Sequence, residues 1–147
     1  MEVREYHRDG YLISTDRTRL DLPAIHGYLS GASYWAAGRS METVERSVDN
    51  SLCIGMYDPA GRQAGFARVI TDFATFGWIC DVFVLAGHQG KGLGKWLMQT
   101  IVALPELQVL KRLQLATRDA HELYSRYAGF TPLANPGMWM ERVQEKK

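Results

Sequence analysis

The 147-residue sequence predicts one α/β domain, residues 1–147, built on a mixed sheet. Three observations carry that reading. After a short strand-like run, "YLIS", apolar residues keep a helical spacing to about residue 50. From Leu52 to Val84 the period drops to two. Beyond Val84, helix-like and strand-like segments take turns, and antiparallel strands beside a β-α-β unit imply a mixed α/β sheet. A chain of this length buries about 70% of the surface its unfolded form exposes, so no second core is expected.

The elements follow in order. Asp21 offers a helix N-cap, Pro23 lies near the first turn, and Ile25, Tyr28 and Leu29 share a face until Gly31 closes the helix. Ser40 opens a second helix with Met41, Val44 and Val48 on one side, although Thr43 stands where a strict capping box has Glu. "LCIGMYD" and "QAGFARVIT" flank the turn formers of "PAGR" and read as an antiparallel hairpin. "FGWICDVFVL" is apolar enough to lie centrally in a sheet. "KWLMQTIVAL" is a helix whose pattern Pro105 ends unless it begins the next connection, and "LKRLQLAT" is a further strand. Asp119 is expected to cap a helix in "DAHELYSRYAGF", Gly129 to stop it, and "WMERV" to add a last strand. Trp78 and Trp139 are expected to pack, as strand aromatics usually do.

Composition narrows the function. Hydrophobic residues make up 46% and charged residues 22%, as in an ordinary globular protein. The net charge of +1 comes from 17 basic and 16 acidic side chains that are interspersed, so nothing marks nucleic acid as a partner. Apolar runs fall short of the roughly 20 residues of a membrane span, and "MEVREYHRDG" lacks the apolar core of a signal peptide. No membrane partner is expected, and the expected compartment is the cytoplasm. Cys53 and Cys80 sit in strand-like runs and read as buried thiols. A charged edge near "WMERV" leaves a homodimer open.

The segment "VFVLAGHQGKGLGKWLM" carries the chemistry. A strand runs through Gln89, Gly90, Lys91, Gly92, Leu93, Gly94 and Lys95 into a helix. Glycines let backbone approach a ligand, and the first N–H groups of a helix lack intrahelical partners, so together they cradle anionic oxygens. Lys91 and Lys95 add positive charge. A Walker A loop would need Ser or Thr where Trp96 stands, and a dinucleotide fingerprint would want a small residue at Lys95 and an acid between Glu106 and Asp119. Both are disfavoured; a phosphate or pyrophosphate ligand of another kind fits better.

The string "DVFVLAGHQGKGLGKWLM" resembles motif A of the GCN5-related N-acetyltransferase (GNAT) superfamily, in which Gln or Arg, two residues, Gly, one residue, and Gly or Ala follow a central strand. Gln89, Gly92 and Gly94 fill those positions. "DAHELYSRYAGF" resembles the superfamily's later motif, where a tyrosine precedes Gly-Phe. The resemblance implies a mostly antiparallel sheet of six to seven strands flanked by about four helices. It also implies acetyl-CoA, or another acyl-CoA, as co-substrate; neither a metal nor a covalent acyl-enzyme is expected. The pyrophosphate would lie on Gln89, Gly90, Lys91, Gly92, Leu93, Gly94 and Lys95, and the pantetheine beside Val82, Phe83 and Val84, provided the next strand splays away. Backbone N–H groups near Phe83 or Val84 would polarise the thioester carbonyl.

Direct transfer needs an acid for the departing thiolate and a base for the amine. Tyr124 matches the family tyrosine through "DAHELY", but it stands five residues before Gly129 where four is usual, as if Ala128 were inserted, so Tyr127 competes. Asp81 is the candidate base, because some amine-acetylating relatives carry an acid there; the alternative is a salt bridge to Arg68. His26, His88 and His121 read as surface or capping residues. In this superfamily the segment between the first two helices covers the substrate cleft. There Tyr34 and Trp35 would wall a pocket or plug the gap above the sheet, and Arg39 would hold a carboxylate. The expected reaction is acetyl transfer to a primary amine of a small molecule. The alternatives are a protein N-terminus or lysine as acceptor, and an acyl-CoA sensor without turnover.

Overall fold

Asp9 and Gly10, with φ of 51° and 82°, make a tight reversal that joins β1 (Glu5–Arg8) to β2 (Tyr11–Ser14). Two positive φ values in an Asp-Gly pair are what a type I′ hairpin turn favours. The first strand is polar and mostly exposed, so it shows no alternation and gives no hydrophobic signal in the sequence. The structure is a computed structural model that describes residues 1–145.

The next elements agree with their expected causes. Asp21 accepts from the Ala24 amide at the start of α1 (Leu22–Gly31), and Ser40 accepts from Thr43 at the start of α2 (Met41–Asp49). β3 (Leu52–Tyr57), β4 (Gln63–Thr71) and β5 (Phe76–Val84) form an antiparallel meander. α3 (Leu93–Ala103) and the short α4 (Pro105–Gln108) lead to β6 (Arg112–Gln114), which pairs with β5 in parallel. α5 (His121–Ala128) ends at Gly129, whose φ is 75°. Among the described residues six strands lie in the order β1-β2-β3-β4-β5-β6.

Helices cover both faces of the sheet. Ile25, Leu29, Val44 and Val48 of α1 and α2 pack on Cys53, Phe66 and Phe83. On the other face, Leu97, Met98 and Ile101 of α3 pack with Leu104 and Leu107 against Ile54, Met56, Val69 and Ile79. Each such burial stabilises by about 1.5–3 kcal/mol. Covered on both faces, β4 is buried from Gln63 to Val69, which removes the in-out alternation a half-exposed strand would show.

Two expectations need correction. Residues 139–143 are not a strand: a 3-10 turn at Pro136–Met138 precedes them, and Trp139 is exposed, not packed. Asp119 does not cap α5; Thr117 Oγ1 accepts from the Asp119 and Ala120 amides instead. The cysteines are free, with β4 between their strands and Arg68 registered opposite both. Two strand spacings, roughly 9.6 Å, exceed the span of a disulfide.

Candidate active site

The glycine turn is held by the strand it follows. The Gln89 side chain donates through Nε2 to the Val84 carbonyl at 2.9 Å, and a 3-10 turn at Ala86–His88 lies between them. Tyr11 Oη and His88 Nδ1 are 2.7 Å apart, and Lys91 Nζ lies 3.4 Å from the same hydroxyl, so β2 braces the loop. Gly90 and Gly92 have φ of 81° and 74°, and a Cβ added to either would stand in open space. Gly92 is the N-cap of α3 and supplies no side chain to its free N–H groups. The result is an open, donor-lined concavity. Of its lysines, Lys91 reaches Tyr11 and Lys95 stands 4.4 Å over the Tyr127 ring.

Beside this loop the sheet parts. The β5–β6 ladder ends at Trp78–Gln114, while β5 continues to Val84. Val82, Phe83 and Val84 therefore have no β6 partner, which meets the condition set for a pantetheine beside them. A cavity of about 520 Å³ opens into the gap, bounded by Trp78, Cys80, Asp81 and Val82 on one side and by residues 115–120 and Tyr124 on the other. Trp78 lines this cavity; a period-two pattern cannot distinguish that from packing.

The segment between α1 and α2 roofs the cavity and is tied to its floor through Asp81. The β4–β5 pairing shifts register between Phe66 and Arg68, and Asp81 adopts φ of 52° in that bulge. Bulges re-aim side chains, and Asp is among the few residues other than Gly enriched at such φ. The Asp81 side chain is 1% exposed. Its Oδ1 accepts from Trp35 Nε1, and its Oδ2 accepts from Arg39 Nη1 and Arg68 Nε, each at 2.9 Å. Arg68 also donates to Ser51 Oγ at 3.0 Å. Tyr34 Oη accepts from the Arg118 amide at 3.0 Å, and the Arg118 guanidinium lies 3.8 Å above the Tyr34 ring. His26 Nε2 is 3.0 Å from the Arg39 carbonyl. Tyr34, Trp35 and Arg39 thus meet Asp81 at one cleft. The sequence reading missed Arg118, whose only signal is its place after the strand facing that cleft.

Tyr124 lines the cavity; Tyr127, under Lys95, does not. The five-residue step from Tyr124 to Gly129 is spanned by hydrogen bonds at the end of α5. There the Gly129 amide donates to the Tyr124 carbonyl, a span of five residues, and the Phe130 amide donates to the same oxygen at 3.2 Å. The start of the helix keeps its register, with the Tyr124 amide donating to Ala120. Burial raises the Tyr124 phenol above its ordinary value, and Tyr34 and Asp119 push the same way. Burial also pushes the Cys80 thiol up to about 11 and Cys53 to about 12. Among the described residues no three His, Cys, Asp or Glu side chains gather as a metal set, and no helix is long and apolar enough to cross a membrane.

Comparison with known proteins agrees with this architecture. Residues 22–130 match the Acetyltransferase (GNAT) family. A protein of Gibberella zeae named "Putative acetyltransferase FG08082" is 32% identical over 145 residues, covering 86% of this chain and 82% of its own. A GNAT-family crystal structure from Xanthomonas campestris pv. campestris is 48% identical with a TM-score of 0.87, covering 91% of this chain and 93% of the other. Rv2747 from Mycobacterium tuberculosis, solved with CoA and NLQ, shares the fold at 21% identity and a TM-score of 0.67, over 82% of this chain and 72% of that one. A glycine cradle ahead of α3, a parted sheet and the family match over most of the chain converge: this protein belongs to the GNAT family and is an acetyltransferase that uses acetyl-CoA.

Proposed function

We propose that the protein acetylates the primary amine of a small molecule that carries a carboxylate. The observation that carries this reading is the cleft: about 520 Å³, in the range of small-molecule sites, roofed by a segment bound to its floor. Two guanidiniums face one carboxylate there, leaving one positive charge for an anionic acceptor. Arg39, at 21% exposure, is the more accessible of the two. Tyr34, Trp35 and Trp78 supply aromatic walls. A roof tied down in this way leaves less room for a polypeptide than for a single small molecule.

Acetyl-CoA supplies an activated acetyl thioester. The open Gly90–Gly92 turn and the uncapped start of α3 fit its pyrophosphate, with Gln89–Lys95 as the holding segment, and Val82–Val84 border the gap beside β5. Tyr124 stays protonated at neutral pH and donates the proton that the leaving thiolate needs. Cys80 borders the cleft but is a protonated thiol, a poor nucleophile, which favours direct attack by the amine. The ion pairs of Asp81 favour an anchoring role over proton acceptance, so the amine sheds its proton through the cleft mouth. The test is an acceptor panel that pairs amino acids with their decarboxylated amines. Arg39→Ala should raise KM for the carboxylated members by about 10-fold or more, with little change for the plain amines. Equal use of both sets by the unaltered enzyme would refute the carboxylate site, and acetylation of peptides alone would refute the small-molecule reading.

A further inference from the structure

Arg118 lines the acceptor cleft from the segment after β6, and its exposed side chain places it at the mouth. One residue of the roof fixes it there. The Arg118 backbone amide donates to Tyr34 Oη at 3.0 Å, and the guanidinium stands 3.8 Å over the Tyr34 ring. Stacking occupies the face of a guanidinium and leaves the N–H groups along its edge free, because those donors lie in the plane. Among the described residues the Arg118 guanidinium donates to no partner, and the only carboxylate oxygen within 4.0 Å of it is Asp119 Oδ2, at that limit. With the two side chains 66% and 69% exposed, that pair neutralises little. Arg39 and Arg68, by contrast, both direct hydrogen bonds to Asp81.

Packed groups set the place of Arg118 relative to Arg39. Tyr34 meets Trp35 edge to face with ring centroids 5.1 Å apart, Trp35 donates to one oxygen of Asp81, and Arg39 donates to the other. One chain of contacts thus runs from the floor of the cleft to its mouth, with a guanidinium at each end. An arginine already ordered by stacking loses less conformational freedom when it takes a ligand.

We propose that the acceptor carries two anionic groups, and that Arg118 holds the second, a carboxylate or a phosphate, on the free edge of its guanidinium. This rests on the reading of the cleft as a small-molecule site in which Arg39 takes a carboxylate. The guanidinium edge matches the paired oxygens of either group. The acceptor is then an amino acid whose side chain ends in negative charge, and Arg118 is the residue that tells it from a neutral analogue.

The test measures acetyl transfer to two pairs of amino acids that differ in side-chain charge, glutamate with glutamine and O-phosphoserine with serine. The first pair reads a carboxylate and the second a phosphate. In at least one pair the unaltered enzyme should favour the anionic member in kcat/KM by about 5-fold or more, and Arg118→Ala should bring that ratio close to one. Arg118→Glu should lower it further, because a carboxylate then faces the anion. A loss of structure alone lowers both members of a pair together and leaves their ratio standing, and a ratio that survives Arg118→Ala would overturn the proposal. So would an unaltered enzyme that favours the anion in neither pair. If that enzyme still acetylates glycine or alanine, the Arg39 site stands and only the second anion falls; use of no carboxylated amine would overturn both.

Discussion

Asp81→Asn isolates the cluster that ties the roof of the cleft to its floor. The substitution keeps shape and leaves one oxygen as acceptor, but it removes the charge facing two guanidiniums. The floor changes from one net positive charge to two. Removing one partner from a buried ion pair costs about 3–5 kcal/mol, and because Arg39 and Arg68 retain 21% and 11% exposure the expected loss is near the lower end, about 3 kcal/mol. For a domain of this length that is a fall in Tm of roughly 6–12 °C. Urea titration and thermal melts read the stability, and steady-state rates across pH read the mechanism. The rate should rise with pH as the acceptor amine deprotonates; with the cluster as anchor, the folded variant keeps that rise, and its loss appears mainly in acceptor KM. A variant as stable as the parent would refute the anchoring argument. A flattened alkaline limb in a folded variant would return Asp81 to the role of proton acceptor.

Gly92→Val should abolish acetyl-CoA binding in calorimetry, because a β-branched residue is strained at φ of 74° and its side chain would enter the open turn; unchanged affinity would locate the pyrophosphate elsewhere. Tyr124→Phe should lower kcat by about 10–100-fold with donor affinity unchanged, and Tyr127→Phe should not. Because the Tyr124 phenol is raised, an alkaline fall in rate due to its ionisation should begin above pH ~10, the value of free tyrosine. Acid stability depends on carboxylates such as Asp72, held well below the usual range by the Thr75 hydroxyl and the Ala74, Thr75 and Phe76 amides. A depressed folded pKa means that stability is complete above the unfolded value of about 4 and is lost as pH falls toward the folded one. Urea midpoints should therefore fall between pH 5 and 3, and Asp72→Asn should flatten that slope.

Local rules made most of the fold legible. Asp21, Ser40 and Gly129 end or begin helices by side-chain and backbone chemistry that acts over three or four residues, and the period-two runs at β3, β4 and β5 stand where expected. Readings failed where the deciding partner is distant or the signal is not hydrophobic. β1 is polar and is announced only by Asp9-Gly10. The tail at 139–143 has a strand's composition, but pairing depends on an available edge, which composition does not encode. At the site, the glycine turn was legible because Gly90 and Gly92 are demanded by backbone geometry. The Asp81 cluster was half legible: Arg68 comes from the neighbouring strand, as a hairpin allows, whereas the approach of Trp35 and Arg39 depends on how the helices seat on the sheet.

The parting of β5 from β6 is a matter of strand length: nine residues face three. The cleft therefore exists because a ladder is left unfinished, and it can be lost through a change of backbone pairing alone. Each rung added beyond Trp78–Gln114 would zip the sheet toward Val84. Regular pairing extended through residues 116–118, next to the end of that ladder, would therefore narrow the cleft. A β-branched residue at Ala116 favours that extension and is expected to lower activity while the fold persists.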